Sequence, residues 1–241
     1  RPGMTDVSAS LKDLYGLYRA LRKARTRRGA IDFESTEVQF VFDERGAVDD
    51  IKPYERNDAH LLIEECMIAA NVAAARFLIR QKMPTLFRVH GRPDGEKVEN
   101  LQEFLRELGL SISGGLRPDA KDYARLLAAV RGRPDEHLIN TVLLRSMSQA
   151  VYSTENIGHF GLAYSAYTHF TSPIRRYPDL LVHRALKHLV NGGKPHDFEY
   201  GVADLQTMAE HCSATSRRAD EATRDAMDTL KAEYMHDKVG E

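Results

Sequence analysis

Apolar positions repeat at helical spacing over the first part of the chain. Leucines recur every three or four residues between Ser10 and Arg28, and Ser8 or Ser10 is available as an N-cap. This pattern predicts an amphipathic helix. From Glu37 to Phe42 apolar and polar residues mostly alternate, which is the period of a half-buried strand. A turn sequence at 43–46 and a further stretch from Ala47 to Ile51 complete a predicted β-hairpin.

Helical patterns continue after the hairpin. A long helix is predicted from an N-cap at Asn57 or Asp58 to about Gln81, before Pro84. Its middle is apolar on most faces, which favours a central place in the core. Three shorter helices are predicted between the prolines that follow, over residues 96–108, 120–130 and 136–150.

The last third of the chain is also helical in pattern. Pro178 suits the first turn of a helix that runs to about Val190, where an Asn-Gly-Gly turn follows. An alanine-rich and charged pattern from Val202 to Met235 predicts a final long helix that has room for one break. These patterns together predict an α+β fold that is predominantly helical, with a short antiparallel β-hairpin.

Composition excludes several classes of protein. Of the 241 residues, 42 % are hydrophobic and 29 % are charged, which is typical of a soluble globular chain. No apolar run is long enough to span a bilayer and no signal-peptide segment is apparent, so a cytoplasmic protein is expected. The two cysteines are far apart and no HxxxH spacing occurs, so no metal site is predicted. The formal net charge of −1 leaves any case for nucleic acid to local clusters.

No linker divides the chain, and a single domain over residues 1–241 is expected. The first residue is Arg rather than Met, which is expected of a sequence that starts inside a longer polypeptide.

The segment from His169 to Tyr177 holds the strongest candidate chemistry. Arg175 and Arg176 lie between Pro173 and Pro178, and proline restricts both its own backbone and that of the preceding residue. Arginine presents a planar fork of donors that suits phosphate oxygens. Pairing of these arginines with carboxylates at a helix start is an equally good interpretation of the spacing alone.

A second candidate lies near the N-terminus. Six basic residues just before Phe33 could attract a phosphate backbone, although six residues in ten cannot share one helix face and most are expected to be solvated. They are Arg19, Arg22, Lys23, Arg25, Arg27 and Arg28. Phe33 itself, beside a hairpin, would ordinarily be part of the core.

The segment HFTSPIRRYPDLLVHRAL at 169–186 resembles the signature of the RNB catalytic domain shared by exoribonucleases of the ribonuclease II and ribonuclease R type. Four more segments resemble that domain in the same order, and the resemblance covers nearly the whole chain. They are RGAIDFES at 28–35, RNDAHLLIEECMIAAN at 56–71, the stretch 143–170, and HCSATSRRADEATRDAMDTLK at 211–231. The resemblance implies the C-terminal portion of an RNB catalytic domain, without its N-terminal metal-binding part.

The resemblance implies an activity and a catalytic residue. Enzymes of this family hydrolyse single-stranded RNA from the 3′ end and release nucleoside 5′-monophosphates, with Mg²⁺ as cofactor. Arg175 corresponds to the arginine that contacts phosphate near the scissile bond. His169, Ser172, Arg176 and Tyr177 belong to the same motif, and for them direct RNA contact and a supporting role in shaping the loop both remain open.

The resemblance also implies contacts to the RNA 3′ end. Phe33 matches a phenylalanine that stacks on bases, an interaction that accepts any base. Glu65 falls where a glutamate contacts the terminal nucleotide through ribose hydroxyls, with Glu64 as the competing assignment. Glu221 corresponds to a further site glutamate, and the match does not separate it from its neighbours.

Several parts of the family's active site are expected outside this chain. The aspartates that hold Mg²⁺ lie upstream of the matched region in the family, and Asp49, Asp50 and Asp58 are not in that motif. The 241-residue chain is therefore expected to be inactive alone. Expected partners are single-stranded RNA, the remainder of the RNB domain, and the cold-shock and S1 domains of the parent protein. Two other hypotheses are an inactive RNA- or protein-binding module with the RNB fold, and a helical scaffold whose arginine loop binds another anion.

Overall fold

The structure is a computed structural model that describes residues 4–33, 38–54, 56–236 and 238. Helices make up most of it. The helices in this part of the chain are α1 (Met4–Arg28), α2 (Asp58–Arg80), α3 (Gly95–Glu107), α4 (Ala120–Val130), α5 (Glu136–Ser146), α6 (Tyr177–Val190) and α7 (Val202–His236), with a 3-10 turn at Pro195–Asp197. Each predicted helix is present, so the prediction of a mainly helical α+β fold is confirmed. The predicted start of the first helix was wrong, because α1 begins at Met4 and both Ser8 and Ser10 lie inside it. None of these helices is long and apolar enough to cross a membrane.

The predicted hairpin is present as strands β1 (Val38–Phe42) and β2 (Val48–Pro53), which pair antiparallel. The register is irregular between Val41 and Phe42. Glu37, the predicted first residue of the hairpin, lies outside the described residues.

A second antiparallel pair was not predicted. Strand β3 (Phe87–Val89) pairs with strand β4 (Val151–Ser153), and Arg88 lies opposite Tyr152. Strands of three residues are too short to show alternation, and their partners are far apart in sequence. The predicted helix over 136–150 was also too long: it ends at Ser146, because the chain becomes extended at Met147 on its way to β4.

Helix α2 holds the central place that its apolar middle predicted. Its start is fixed by a capping box in which Asn57 Oδ1 accepts from His60 N at 3.3 Å and His60 Nδ1 accepts from Asn57 N at 3.2 Å. The helix contributes buried residues to three separate apolar clusters: Ala74 and Leu78 against α6, Ala75 beside β3, and Ile68 and Val72 against Tyr167.

Two other apolar clusters include residues of α3, α4, α5 and α7. The larger is built from α3, α4 and α5, with Leu101, Tyr123 and Leu143 fully buried. The other joins Leu181 of α6 to Leu205 of α7 and Tyr152 of β4. Residues 169–176 form a segment that we call the arginine loop. It leads directly into α6, so its C-terminal end is joined to this packed region.

Candidate functional site

The arginine loop is closed by one buried carboxylate in the first turn of α6. Asp179 is 0 % exposed. Its Oδ1 accepts a hydrogen bond from Ser172 N at 2.8 Å, and Arg176 donates Nε to Oδ2 at 2.8 Å and Nη2 to Oδ1 at 2.7 Å. Two parallel bonds from a guanidinium to a carboxylate are the strongest form of this contact. Pairing with a carboxylate at a helix start therefore holds for Arg176.

Arg175 is arranged differently from its neighbour. Its backbone N–H donates to Ser172 O at 3.2 Å, but its side chain is exposed, and the guanidinium forms no hydrogen bond or ion pair with any residue that the structure describes. It lies on the wall of a cleft of about 450 Å³ between the arginine loop and α7. Other residues of that wall are Tyr152, Arg176, Tyr177, Thr215, Ser216 and Asp220. An arginine without a carboxylate partner, held on a fixed loop, is suited to bind an anion.

His169 supports the loop as a neutral ring. Its Nδ1 lies 2.8 Å from the Tyr152 hydroxyl, and its ring forms T-shaped contacts with the rings of Tyr152 and Tyr167. Burial lowers the pKa of His169 to about 3, and the positive charges of Arg176 and Arg88 contribute to the shift. At neutral pH this side chain contributes shape and one hydrogen bond, and no charge.

Arg88 is a residue of this region that the sequence did not indicate. Its guanidinium carbon lies 4.7 Å from the centre of the Tyr152 ring, and burial lowers its pKa from the usual value. Because Arg88 lies on β3, which has no detectable strand pattern, no signal in the sequence placed it near the arginine loop.

A second cavity, of about 490 Å³, lies between α2 and the same loop. Arg176 and Tyr167 line it, and the α2 side contributes Glu64 among mainly apolar residues. Asn71 fixes the loop side of this cavity, since it donates to the Tyr167 hydroxyl and accepts from Phe170 N, both at 2.9 Å. Arg176 thus lies between the two cavities and belongs to the walls of both.

The adjacent glutamates of α2 have different surroundings. Glu64 lines the second cavity and pairs with Arg56. Glu65 is 3 % exposed, and its Oε1 lies 3.3 Å from Arg25 Nη1. The structure therefore presents Glu64 to the cavity and encloses Glu65 against α1.

Half of the basic cluster of α1 is engaged in contacts within the chain. Arg22 and Arg25 pair with carboxylates, and the guanidinium carbon of Arg28 lies 3.8 Å from the centre of the Tyr164 ring while its Nε donates to Leu162 O at 2.9 Å. The other three side chains, Arg19, Lys23 and Arg27, are exposed, as expected for a solvated face.

Two predicted RNA contacts, Phe33 and Glu221, are not among the residues that line the cleft beside Arg175. Phe33 is half-buried and packs against the α3–α5 cluster. Glu221 is exposed on α7, and its neighbour Asp220 forms part of the cleft wall beside Arg175. The structure thus gathers Arg175, Arg176 and Tyr177 at one cleft.

No three His, Cys, Asp or Glu side chains of the described residues lie close enough together to hold a metal ion. The side chains of this part of the chain therefore do not fit a Mg²⁺ site, and Asp49, Asp50 and Asp58 do not converge on one.

Comparison with known proteins decides the family. Residues 2–192 match the RNB domain. The chain belongs to the RNB domain family. It is similar to ribonuclease R of Escherichia coli K12, with 49 % identity over 238 residues, 95 % of this chain and 29 % of the relative. Ribonuclease R of Vibrio cholerae is 50 % identical over 240 residues, 96 % of this chain and 29 % of the relative.

Solved structures show the same RNB fold. The apo form of Mycoplasma genitalium RNase R superposes with a TM-score of 0.91 at 29 % identity, over 98 % of this chain and 37 % of that one. The same enzyme in complex with ribose-methylated single-stranded RNA superposes equally well. The present RNB chain spans less than a third of the length of the curated relatives named above.

Proposed function

We propose that the chain is the C-terminal portion of the RNB catalytic domain of a 3′-to-5′ hydrolytic exoribonuclease, which degrades single-stranded RNA to nucleoside 5′-monophosphates. The observation that carries the proposal is Arg175, exposed in a cleft and held on a loop closed by Asp179. The similarity to proteins named ribonuclease R, one of them solved with single-stranded RNA, supports the substrate class.

In the proposed reaction Arg175 contacts the phosphate next to the scissile bond. Its planar fork can donate to two non-bridging oxygens, whose negative charge grows in the transition state. Because the loop is already fixed by Asp179 and by Pro173 and Pro178 on either side of the arginines, the guanidinium needs little reorganisation when the substrate arrives.

The other motif residues mainly hold Arg175 in place. Arg176 is committed to Asp179, Ser172 contributes its backbone N–H, and His169 is neutral and bonded to Tyr152. Tyr177 is the exception, since its side chain is exposed on the cleft wall and is available for direct RNA contact.

We assign the contacts to the RNA 3′ end to residues of α2 and of the segment after α1. Phe33 stacks on a base and Glu64, on the cavity wall, recognises ribose hydroxyls, while the enclosed Glu65 supports it through the ion pair with Arg25. Glu221 and its neighbour Asp220 are the candidates on α7.

The proposed cofactor is Mg²⁺, held by the remainder of the RNB domain, because the described residues do not provide its ligands. It would supply an activated water and stabilise the leaving oxygen. The cold-shock and S1 domains of a cytoplasmic parent protein would deliver the RNA. The chain by itself is then expected to release no nucleotides.

The test is made on the intact parent protein. Single-stranded RNA labelled at the 5′ end is incubated with and without Mg²⁺, and the products are separated by size and by chromatography of nucleotides. The proposal expects metal-dependent release of 5′-monophosphates and progressive shortening from the 3′ end. RNA binding without any release would instead favour an inactive module, and the absence of RNA binding at any salt concentration would favour a scaffold for another anion.

A further inference from the structure

One guanidinium in α1 contacts three carboxylates. Arg25 Nη2 lies 3.0 Å from Asp32 Oδ1, and its Nη1 lies 3.3 Å from Glu65 Oε1 and 3.7 Å from Glu64 Oε1. Arg25 is 5 % exposed. A charged side chain is buried only when it is paired with opposite charge, so the contacts of Arg25 are a fixed part of the fold.

The three carboxylates belong to the two segments that carry the proposed contacts to the RNA 3′ end. Asp32 directly precedes Phe33, whereas Glu64 and Glu65 lie in the first half of α2. These segments are about thirty residues apart in sequence. The side chain of Arg25 contacts both segments.

Arg22 adds to the same network one turn earlier in α1. Its Nη2 lies 2.8 Å from Asp32 Oδ2 and its Nη1 lies 3.6 Å from Glu65 Oε1. Arg22 is more exposed than Arg25, and its ion pairs within the described part of the chain do not include Glu64, so its share in holding the two segments is smaller.

We infer that Arg25 is a positioning residue that fixes Phe33 and the Glu64–Glu65 pair relative to each other, and thereby the fit of the 3′-terminal nucleotide. This inference rests on the proposed function. Arginine suits the role because its rigid fork donates in several directions within one plane, whereas the single ammonium group of lysine cannot serve three carboxylates with the same geometry.

The experiment measures how well the intact parent protein recognises the terminal ribose. Two substrates are compared, an RNA oligonucleotide and the same oligonucleotide with one 2′-deoxy nucleotide at its 3′ end. The ratio of their kcat/KM values is determined for the wild type, Arg25→Lys, Arg25→Met and Arg22→Met. Arg133→Met is the matched control, since Arg133 also pairs with a carboxylate, Asp135, but lies between α4 and α5.

The ratio separates positioning from general instability. A variant that merely unfolds in part loses activity on both substrates equally, and its ratio stays constant. We expect Arg25→Lys to lower the preference for ribose by roughly tenfold, the effect of one misplaced charged hydrogen bond. Arg25→Met should lower it at least as far, Arg22→Met should lower it less, and Arg133→Met should leave it unchanged.

The inference is overturned if folded Arg25→Lys and Arg25→Met keep the wild-type ratio, if Arg22→Met keeps it where neither Arg25 variant folds, or if the wild type does not distinguish the two substrates. The proposed function survives any of these results. Should the wild type release nucleotides from neither substrate, the proposed function fails and this inference fails with it. Arg22→Met keeps the test decisive if Arg25 variants do not fold, because Arg22 is only partly buried.

Discussion

Asp179 accepts two hydrogen bonds from the guanidinium of Arg176, at 2.8 and 2.7 Å. This contact gives two adjacent arginines different roles. Arg176 is held by the buried carboxylate, whereas Arg175 next to it keeps an exposed guanidinium in the cleft. The anchor and the proposed phosphate contact are therefore one residue apart, and movement of the first would displace the second.

Replacement of Arg175 should lower rate far more than binding. If its guanidinium stabilises charge that develops in the transition state, Arg175→Ala in the parent protein should lower kcat by about 10²- to 10³-fold. KM should change by only a few fold. Steady-state kinetics on single-stranded RNA check this, with exposed Arg145→Ala on α5 as the control. A large rise in KM at unchanged kcat would instead show that Arg175 only binds substrate.

Loss of the Asp179 charge should destabilise the protein. Asp179→Asn leaves Arg176 without its ionic partner. Because Arg176 is partly exposed, we expect a loss of unfolding free energy at the lower end of the usual range for breaking a buried ion pair, about 3 kcal/mol. The exposed pair of Arg92 and Asp119 has the same 2.7 Å separation, and Asp119→Asn should cost less than about 1 kcal/mol. Urea unfolding of both variants makes the comparison, and equal losses would contradict the anchoring role.

The helices were predictable because their apolar periodicity and caps are local signals. The prediction for α2 was right in both position and burial, since its capping box and its apolar faces are contained in one segment. The pair β3 and β4 was missed for the opposite reason. Each strand has only three residues, and it is defined by its partner across the sheet.

The same limit applies to the candidate site. The motif identified the arginine loop, but spacing alone left Arg175 and Arg176 equivalent, and the carboxylate of Asp179 separates them in the structure. The ion pair of Arg25 with Glu65 joins residues forty positions apart, and only the packing of α1 against α2 brings them together. The sequence offered no signal for that pairing.

Two half-buried histidines, His169 and His159, should make the protein sensitive to acid. Burial lowers the pKa of His169 and of His159 to about 3, with nearby arginines and His90 adding to the effect. In the unfolded chain both titrate near the usual value of about 6.5, so the unfolded state binds more protons at every pH between these values. Stability should therefore fall as pH drops below about 6.5, by up to about 1.4 kcal/mol per pH unit for each histidine.

The measurement is the free energy of unfolding in urea between pH 7 and pH 5. His169→Gln and His159→Gln should each reduce the slope of stability against pH, because glutamine does not titrate. Exposed His137→Gln serves as the control and should keep the wild-type slope. A slope unchanged in both His169→Gln and His159→Gln would show that folding does not lower the pKa of these two histidines.

Gly158 should be the glycine least tolerant of a side chain in the segment that carries His159. Its φ is +80°, and a Cβ there would lie 2.9 Å from the backbone oxygen of Tyr164. Gly46 has the same φ of +80° but nothing within 4 Å of its Cβ position, so comparison with Gly46 separates backbone strain from steric overlap. Gly46→Ala should cost about 1 kcal/mol from backbone strain alone, whereas Gly158→Ala should cost at least about 1 kcal/mol more because a backbone atom must move. Thermal unfolding measures both. Equal losses of stability in the two variants would mean that the segment around Gly158 relaxes to accommodate the methyl group. The segment would then not be a rigid support for the ring contacts of His159 with His90 and Tyr167.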